Sequence, residues 1–189
     1  MFIQAVQFLA LMCLLACSIP AVPTAESELF ANYHAGDKPA LIQGGWRVGA
    51  TARQDEYAGV RSIGFLLKPS ASGRLERIEI AVKRESGSGD LIGYLMADAQ
   101  GPGNVIALVS FSVPRSSEVL IVSAHVLSPP VISDSKQYWF VLEATDPVKD
   151  SIFWARWEGQ PATTMAIRES NSWHIEKGAF GAMLRMYGP

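Results

Sequence analysis

Trp154 and Trp157 stand three residues apart with Arg156 between them, and Trp173 follows the polar run Glu169, Ser170, Asn171 and Ser172. Flat indole faces beside an arginine and an amide are what sugar recognition uses. The apolar face of the sugar ring stacks on indole while its hydroxyls take polar partners. Trp157, Trp173, Arg156 and Asn171 are therefore the candidate ligand-binding residues. The plainer reading of the indoles is that they plug the edge of a packed core. Catalysis has fewer footholds. The three imidazoles, His34, His125 and His174, are scattered along the chain, with His125 on the polar side of its run and His174 beside Trp173 near a turn, so a solvated surface position is expected for these two. No nucleophile elbow, metalloprotease helix or phosphate-binding loop occurs. Among 18 acidic residues a carboxylate pair for glycoside hydrolysis remains open, because its separation is set in space and not in sequence. No catalytic residue, metal site or cofactor is assigned. The stretch from Asp98 to Asn104 offers oxygen ligands of the kind calcium takes, but without the dense alternation of acids a dedicated site has. A Gly-Pro-Gly turn at Gly101, Pro102 and Gly103 is expected there.

The 16 basic and 18 acidic residues all follow Ala25, in a chain of 189 residues with a net charge of −2. At 49% hydrophobic and 18% charged residues, the composition excludes a collagen, a disordered tail and a basic nucleic-acid binder. The apolar run Met1 to Cys17 has the length of a secretory leader and is too short for a comfortable membrane span. It predicts a signal peptide over 1–17, or to 25 if cleavage falls near Ala21 or Ala25. No Lys or Arg precedes the run, so only the amino terminus supplies positive charge. Both cysteines, Cys13 and Cys17, sit in this leader, which leaves the mature fold without a disulfide. Leu14-Leu15-Ala16-Cys17-Ser18 resembles the lipobox of bacterial lipoproteins, whose cysteine is acylated. Lipidation at Cys17 would tether the protein to a membrane surface, and cleavage beyond it would release the protein. An extracellular or periplasmic location is expected, with membrane contact only through that anchor and no nucleic-acid partner.

Residues 18–40 are polar and aperiodic, as in an N-terminal arm, and 41–189 are enough for one compact core. Beyond residue 40 apolar and polar side chains alternate in short runs separated by Gly, Pro, Ser, Asn and Asp, which predicts strands with one face on a core. Ile78, Ile80 and Val82 alternate with Arg77, Glu79, Ala81 and Lys83. Ile92, Tyr94 and Met96 share one side of the next run, and the Ser86-Gly87-Ser88-Gly89-Asp90 turn between the two predicts a hairpin. Val105, Ala107, Val109, Phe111 and Val113 share a face, as do Leu120, Val122, Ala124 and Val126, a run that Pro129 and Pro130 end. Tyr138, Phe140 and Leu142, then Ile152 and Trp154, then Phe180, Ala182, Leu184 and Met186 follow, and short pieces around Trp46, Phe65, Ile167 and Trp173 add strands. Trp154 and Trp157, three apart on one strand, must point to opposite faces, so at most one enters the core. No window shows a helical stripe. The expected fold is all-β, an antiparallel two-sheet sandwich of jelly-roll type.

Three stretches carry a family resemblance. They are Gly73-Arg74-Leu75-Glu76-Arg77-Ile78, then Leu91 to Asp98 running into Gly101-Pro102-Gly103, and Lys136-Gln137-Tyr138-Trp139-Phe140-Val141-Leu142 ahead of the Trp154 strand. With the closing Met183-Leu184-Arg185-Met186-Tyr187-Gly188, this succession resembles the choice-of-anchor R type of bacterial extracellular domain, from about Tyr57 to Gly188. The resemblance implies an exported β-sandwich similar in build to carbohydrate-binding and adhesion modules, with no catalytic residues. Family members often continue into a C-terminal sorting segment, whereas this chain ends at Pro189, which favours an anchor at Cys17. The resulting expectation is an exported, non-catalytic module that binds a glycan or a partner protein at the cell surface. The alternatives are a self-assembling envelope or matrix protein and a small hydrolase with an unrecognised carboxylate pair.

Overall fold

The alternating pattern folds into two six-stranded antiparallel sheets in the computed structural model, which describes residues 26–32, 44–49, 62–155, 163–169, 172–179 and 181–189. Sheet I holds β1 (Ser27–Ala31), β2 (Gly45–Gly49), β5 (Arg77–Ser86), β8 (Leu120–His125), β11 (Ser151–Ala155) and β14 (Leu184–Gly188). Sheet II runs in the order β13 (Ser172–Ala179), β12 (Thr163–Glu169), β3 (Ser62–Leu67), β10 (Tyr138–Ala144), β6 (Leu91–Asp98) and β7 (Pro102–Phe111). Two short strands, β4 (Gly73–Arg74) and β9 (Val131–Ile132), pair with each other. No helix occurs among the described residues. Only β6 with β7 and β12 with β13 pair as chain neighbours; every other ladder joins strands distant in sequence. The architecture is thus the all-β sandwich that the alternation predicts.

Strand β5 organises sheet I. One of its edges carries β8, and the other carries β14 along its first half and β11 along its second. Its inward residues Ile78, Ile80 and Val82 join Ile152 and Trp154 across from Phe65 and Phe140 of sheet II, all within one continuous core. Trp154 is fully buried. Its ring meets Phe65 edge-on at 5.1 Å and Phe140 at 5.9 Å between centroids, and its Nε1 donates to the Met183 carbonyl at 3.0 Å. Burial of each such ring contributes roughly 1.5–3 kcal/mol, which makes this aromatic cluster the clamp between the layers.

The structure corrects the expected hairpin. β5 and β6 lie in different sheets, so the Gly-rich pentad is a crossover. A buried ion pair holds this corner: Arg84 Nη1 lies 3.6 Å from Asp150 Oδ1, and both side chains are nearly inaccessible. Arg84 Nε donates to the Val113 carbonyl at 2.8 Å and Nη2 donates to the Gly89 carbonyl. Asp150 Oδ1 in turn accepts the amides of Ser88 and Gly89 at 2.9 and 3.1 Å. Gly87 has φ +84°, and a Cβ there would fall 1.8 Å from Asp150 Oδ1, so glycine is required. The pentad wraps a carboxylate from the start of β11, and this steers the chain out of the sheet.

Three smaller differences have equally local causes. Val105 is 53% exposed, unlike Ala107, Val109, Phe111 and Val113. A bulge between its pairing with Met96 and that of Ala107 with Leu95 breaks the alternation. The turn expected at Gly101, Pro102 and Gly103 sits earlier, on Gln100 and Gly101 with φ 65° and 155°, and Pro102 already opens β7. Residues 27–31, within the stretch read as an arm, form β1 on the edge of β14. Leu29 is buried there, while Asn32 Nδ2 donates to the Ala182 carbonyl and Oδ1 accepts the Leu184 amide at 2.7 Å.

Candidate ligand-binding face

Registers across sheet II stack its outward side chains into rows. Trp173, Arg168, Ser62, Glu143 and Ile92 follow one another along one row. Ile175, Ala166, Gly64, Val141 and Tyr94 form the next, and Leu66, Trp139 and Met96 a third. The result is a second apolar cluster, separate from the core, in which Trp139, Val141 and Ala166 are buried and Leu66, Tyr94, Met96, Trp173 and Ile175 are partly open around them.

The floor of this face is built by small residues. A Cβ on Gly64 would stand 2.8 Å from Val141 Cγ2 and 3.7 Å from Trp139 Cε3, so both larger side chains lean over the glycine. Trp139 is held in place by its Nε1, which donates to Asp98 Oδ1 at 2.9 Å. Asp98, which begins the stretch considered for calcium, thereby serves as the acceptor of a buried indole. Among the described residues no three His, Cys, Asp or Glu side chains come together as metal ligands.

The first row carries the polar chemistry. Glu143 Oε2 accepts from Ser62 Oγ at 2.9 Å and from Arg168 Nη1 at 3.4 Å. The Arg168 guanidinium lies 5.9 Å from the centre of the Trp173 ring, within range of a cation–π contact. Burial raises the Tyr94 phenol above its ordinary pKa, the Glu143 carboxylate adds to that rise, and Arg168 opposes it. The phenol is therefore a hydroxyl donor at neutral pH. Together this row and Tyr94 of the next present one aromatic plate, one carboxylate, one guanidinium and two hydroxyls on a half-buried surface. Such a surface suits a ligand with an apolar face and a hydroxyl rim.

The outer face of sheet I is built differently. Arg77 Nε donates to Glu26 Oε1 at 2.8 Å and Nη1 to Glu79 Oε1 at 2.5 Å, while Arg185 Nη2 donates to Glu28 Oε2 at 2.7 Å. Tyr187 Oη donates to Glu79 Oε2 at 2.9 Å, and the Arg77 guanidinium lies 3.9 Å over its ring. Burial first, and then the bond to Glu79, push the Tyr187 phenol up to about 12. These arginines and glutamates answer one another.

Of the residues singled out from sequence, Trp173 lies on the sheet II face. Arg156, Trp157, Asn171 and Cys17 lie outside the described residues, as does His34. His125 and His174 are exposed on their strands. Sequence reasoning missed Tyr94, Trp139, Glu143 and Arg168 as members of a site. One signal was present: Tyr138 to Leu142 is apolar at every position, which marks a strand buried on both faces. Ile92, Tyr94 and Met96 do share a side, but it is the outer one; Leu91 and Leu95 face the core. No protein-family model matches this chain, and no curated protein is similar to it in sequence.

Proposed function

We propose that this protein is an exported, non-catalytic binding module that holds a glycan on the outer face of sheet II at the cell surface. The observation that carries the reading is the row Trp173, Arg168, Ser62 and Glu143 beside the half-buried Tyr94, an aromatic plate edged by hydrogen-bonding groups. Sugar rings stack on such plates through their axial C–H groups, and their hydroxyls bridge carboxylate and guanidinium together. The carboxylates of Glu26, Glu28 and Glu79 are tied to Arg77 and Arg185, an arrangement suited to structure and not to proton transfer. The apolar run Met1 to Cys17, of secretory-leader length, supports export, and acylation at Cys17 would retain the module at a membrane.

The test is a glycan array followed by calorimetry on the best ligand. Trp173→Ala is expected to lower affinity about tenfold, the scale of one lost stacking contact. Arg168→Ala should weaken binding less, with both variants melting close to the parent. Absence of any glycan ligand, or unchanged affinity in both variants, overturns the proposal. A second reading, self-association or capture of a partner protein, rests on a different observation: Val105, Leu127 and Val131 are 53%, 75% and 80% exposed. Sedimentation across a concentration series separates it from the first, since glycan binding does not require an oligomer. Mass spectrometry of the mature protein decides the leader, because an acyl mass on Cys17 and a cut beyond it are mutually exclusive.

A further inference from the structure

Away from the outer faces, a cavity of about 200 Å³ opens at the end of the sandwich, between β1 and β14 of one sheet and β3 and β12 of the other. Among the described residues its apolar walls are Phe30, Phe65, Leu67, Ala182 and Leu184, together with the buried Trp154. The polar side chains in the wall are already engaged. Asn32 bonds the backbone of Ala182 and Leu184, and Thr163 Oγ1 donates to the Leu66 carbonyl at 2.9 Å. Lys68 is the exception: it lines the cavity, is exposed, and forms no ion pair with any described residue.

Size and charge together define the occupant. An enclosed apolar cavity of about 150 Å³ takes up a molecule as large as benzene, and this one, open at the end of the sandwich, has room for a somewhat larger apolar body. A single ammonium at the rim then favours a ligand with one negative end. We infer that this cavity binds a small amphiphilic carboxylate, with an acyl or aryl body of about six to eight carbons laid over Phe30 and Phe65 and its carboxylate at Lys68. The site shares no residue with the Trp173 row, so it stands or falls independently of the glycan.

The experiment titrates the full chain with octanoate and with octanol, followed by calorimetry and by the emission of the tryptophans. Octanoate is expected to bind saturably and octanol about threefold more weakly, because an exposed ion pair adds little. Lys68→Gln should remove that difference without abolishing either ligand. Ala182→Leu fills the cavity and should eliminate both. Phe30→Ala widens it and should shift preference to decanoate, a result that decides the matter even if Ala182→Leu fails to fold. The inference is overturned if no acid binds saturably, if the gap between acid and alcohol survives Lys68→Gln, or if chain-length preference is unchanged in Phe30→Ala.

Discussion

The two outer faces of the sandwich are made by the same backbone rule and end in opposite chemistries. On sheet I, Arg77, Glu79, Arg185 and Tyr187 point outward and satisfy one another in a closed network with Glu26 and Glu28. On sheet II, Trp139, Val141 and Ala166 point outward and are buried among further apolar side chains. A closed charge network has no unused valence to offer a ligand, and its members are screened by salt. An apolar cluster gains whenever more of its rim is covered. The difference teaches that the same alternation can end in a face whose charges satisfy one another or in an apolar cluster whose rim stays partly open.

Four outcomes would break or sharpen this contrast. The largest concerns the floor of sheet II: Trp139→Ala should cost about 3–5 kcal/mol in urea unfolding, since a large buried ring is removed and Asp98 loses its donor. A cost below about 1 kcal/mol would mean that the face is not a packed cluster. Next, Glu79→Gln should cost about 1–3 kcal/mol, because Arg77 and Arg185 each lose one of their two carboxylate partners.

The third outcome is a pH dependence. The Tyr187 phenol has a folded pKa of about 12 against an ordinary value of 10.0. The folded state thus prefers the protonated phenol, so the contribution is complete below pH 10 and is lost as pH rises to about 12. Compared with Tyr187→Phe over that window, the parent should lose stability more steeply; parallel curves would remove the phenol from the account. Smallest in stability is Trp173→Ala, expected to shift unfolding by less than about 1 kcal/mol because the ring is only partly buried. A larger loss would recast Trp173 as a structural plug, the plainer reading of these indoles.

Strands were legible wherever one face was apolar and the other polar. Ile78, Ile80 and Val82 against Arg77, Glu79 and Lys83 left no doubt about which side of β5 faces the core, and burial follows that pattern. The same logic failed for β6, where both sides are apolar and the larger set, Ile92, Tyr94 and Met96, faces outward. It failed again at Val105, where one extra residue shifts the phase. The aromatic face was illegible for a further reason. Its members come from β3, β6, β10, β12 and β13, and only the pairing of those strands makes Trp173, Arg168, Ser62 and Glu143 a row.

By itself, the amino-acid order determined that this protein is built of strands, because period-two alternation is a property of neighbouring residues and needs no partner to be expressed. It also marked some strand ends, as at the Gly-rich pentad after β5, although Pro102 and Gly103 lie inside β7. Which strand lies beside which was decided only in three dimensions. The turn after β5 has the composition of a hairpin, yet Arg84 and Asp150, sixty-six positions apart, bend it across the sandwich. A turn sequence constrains local angles alone, whereas a buried charge needs a counter-charge that only the folded chain brings to it, here from sixty-six positions away.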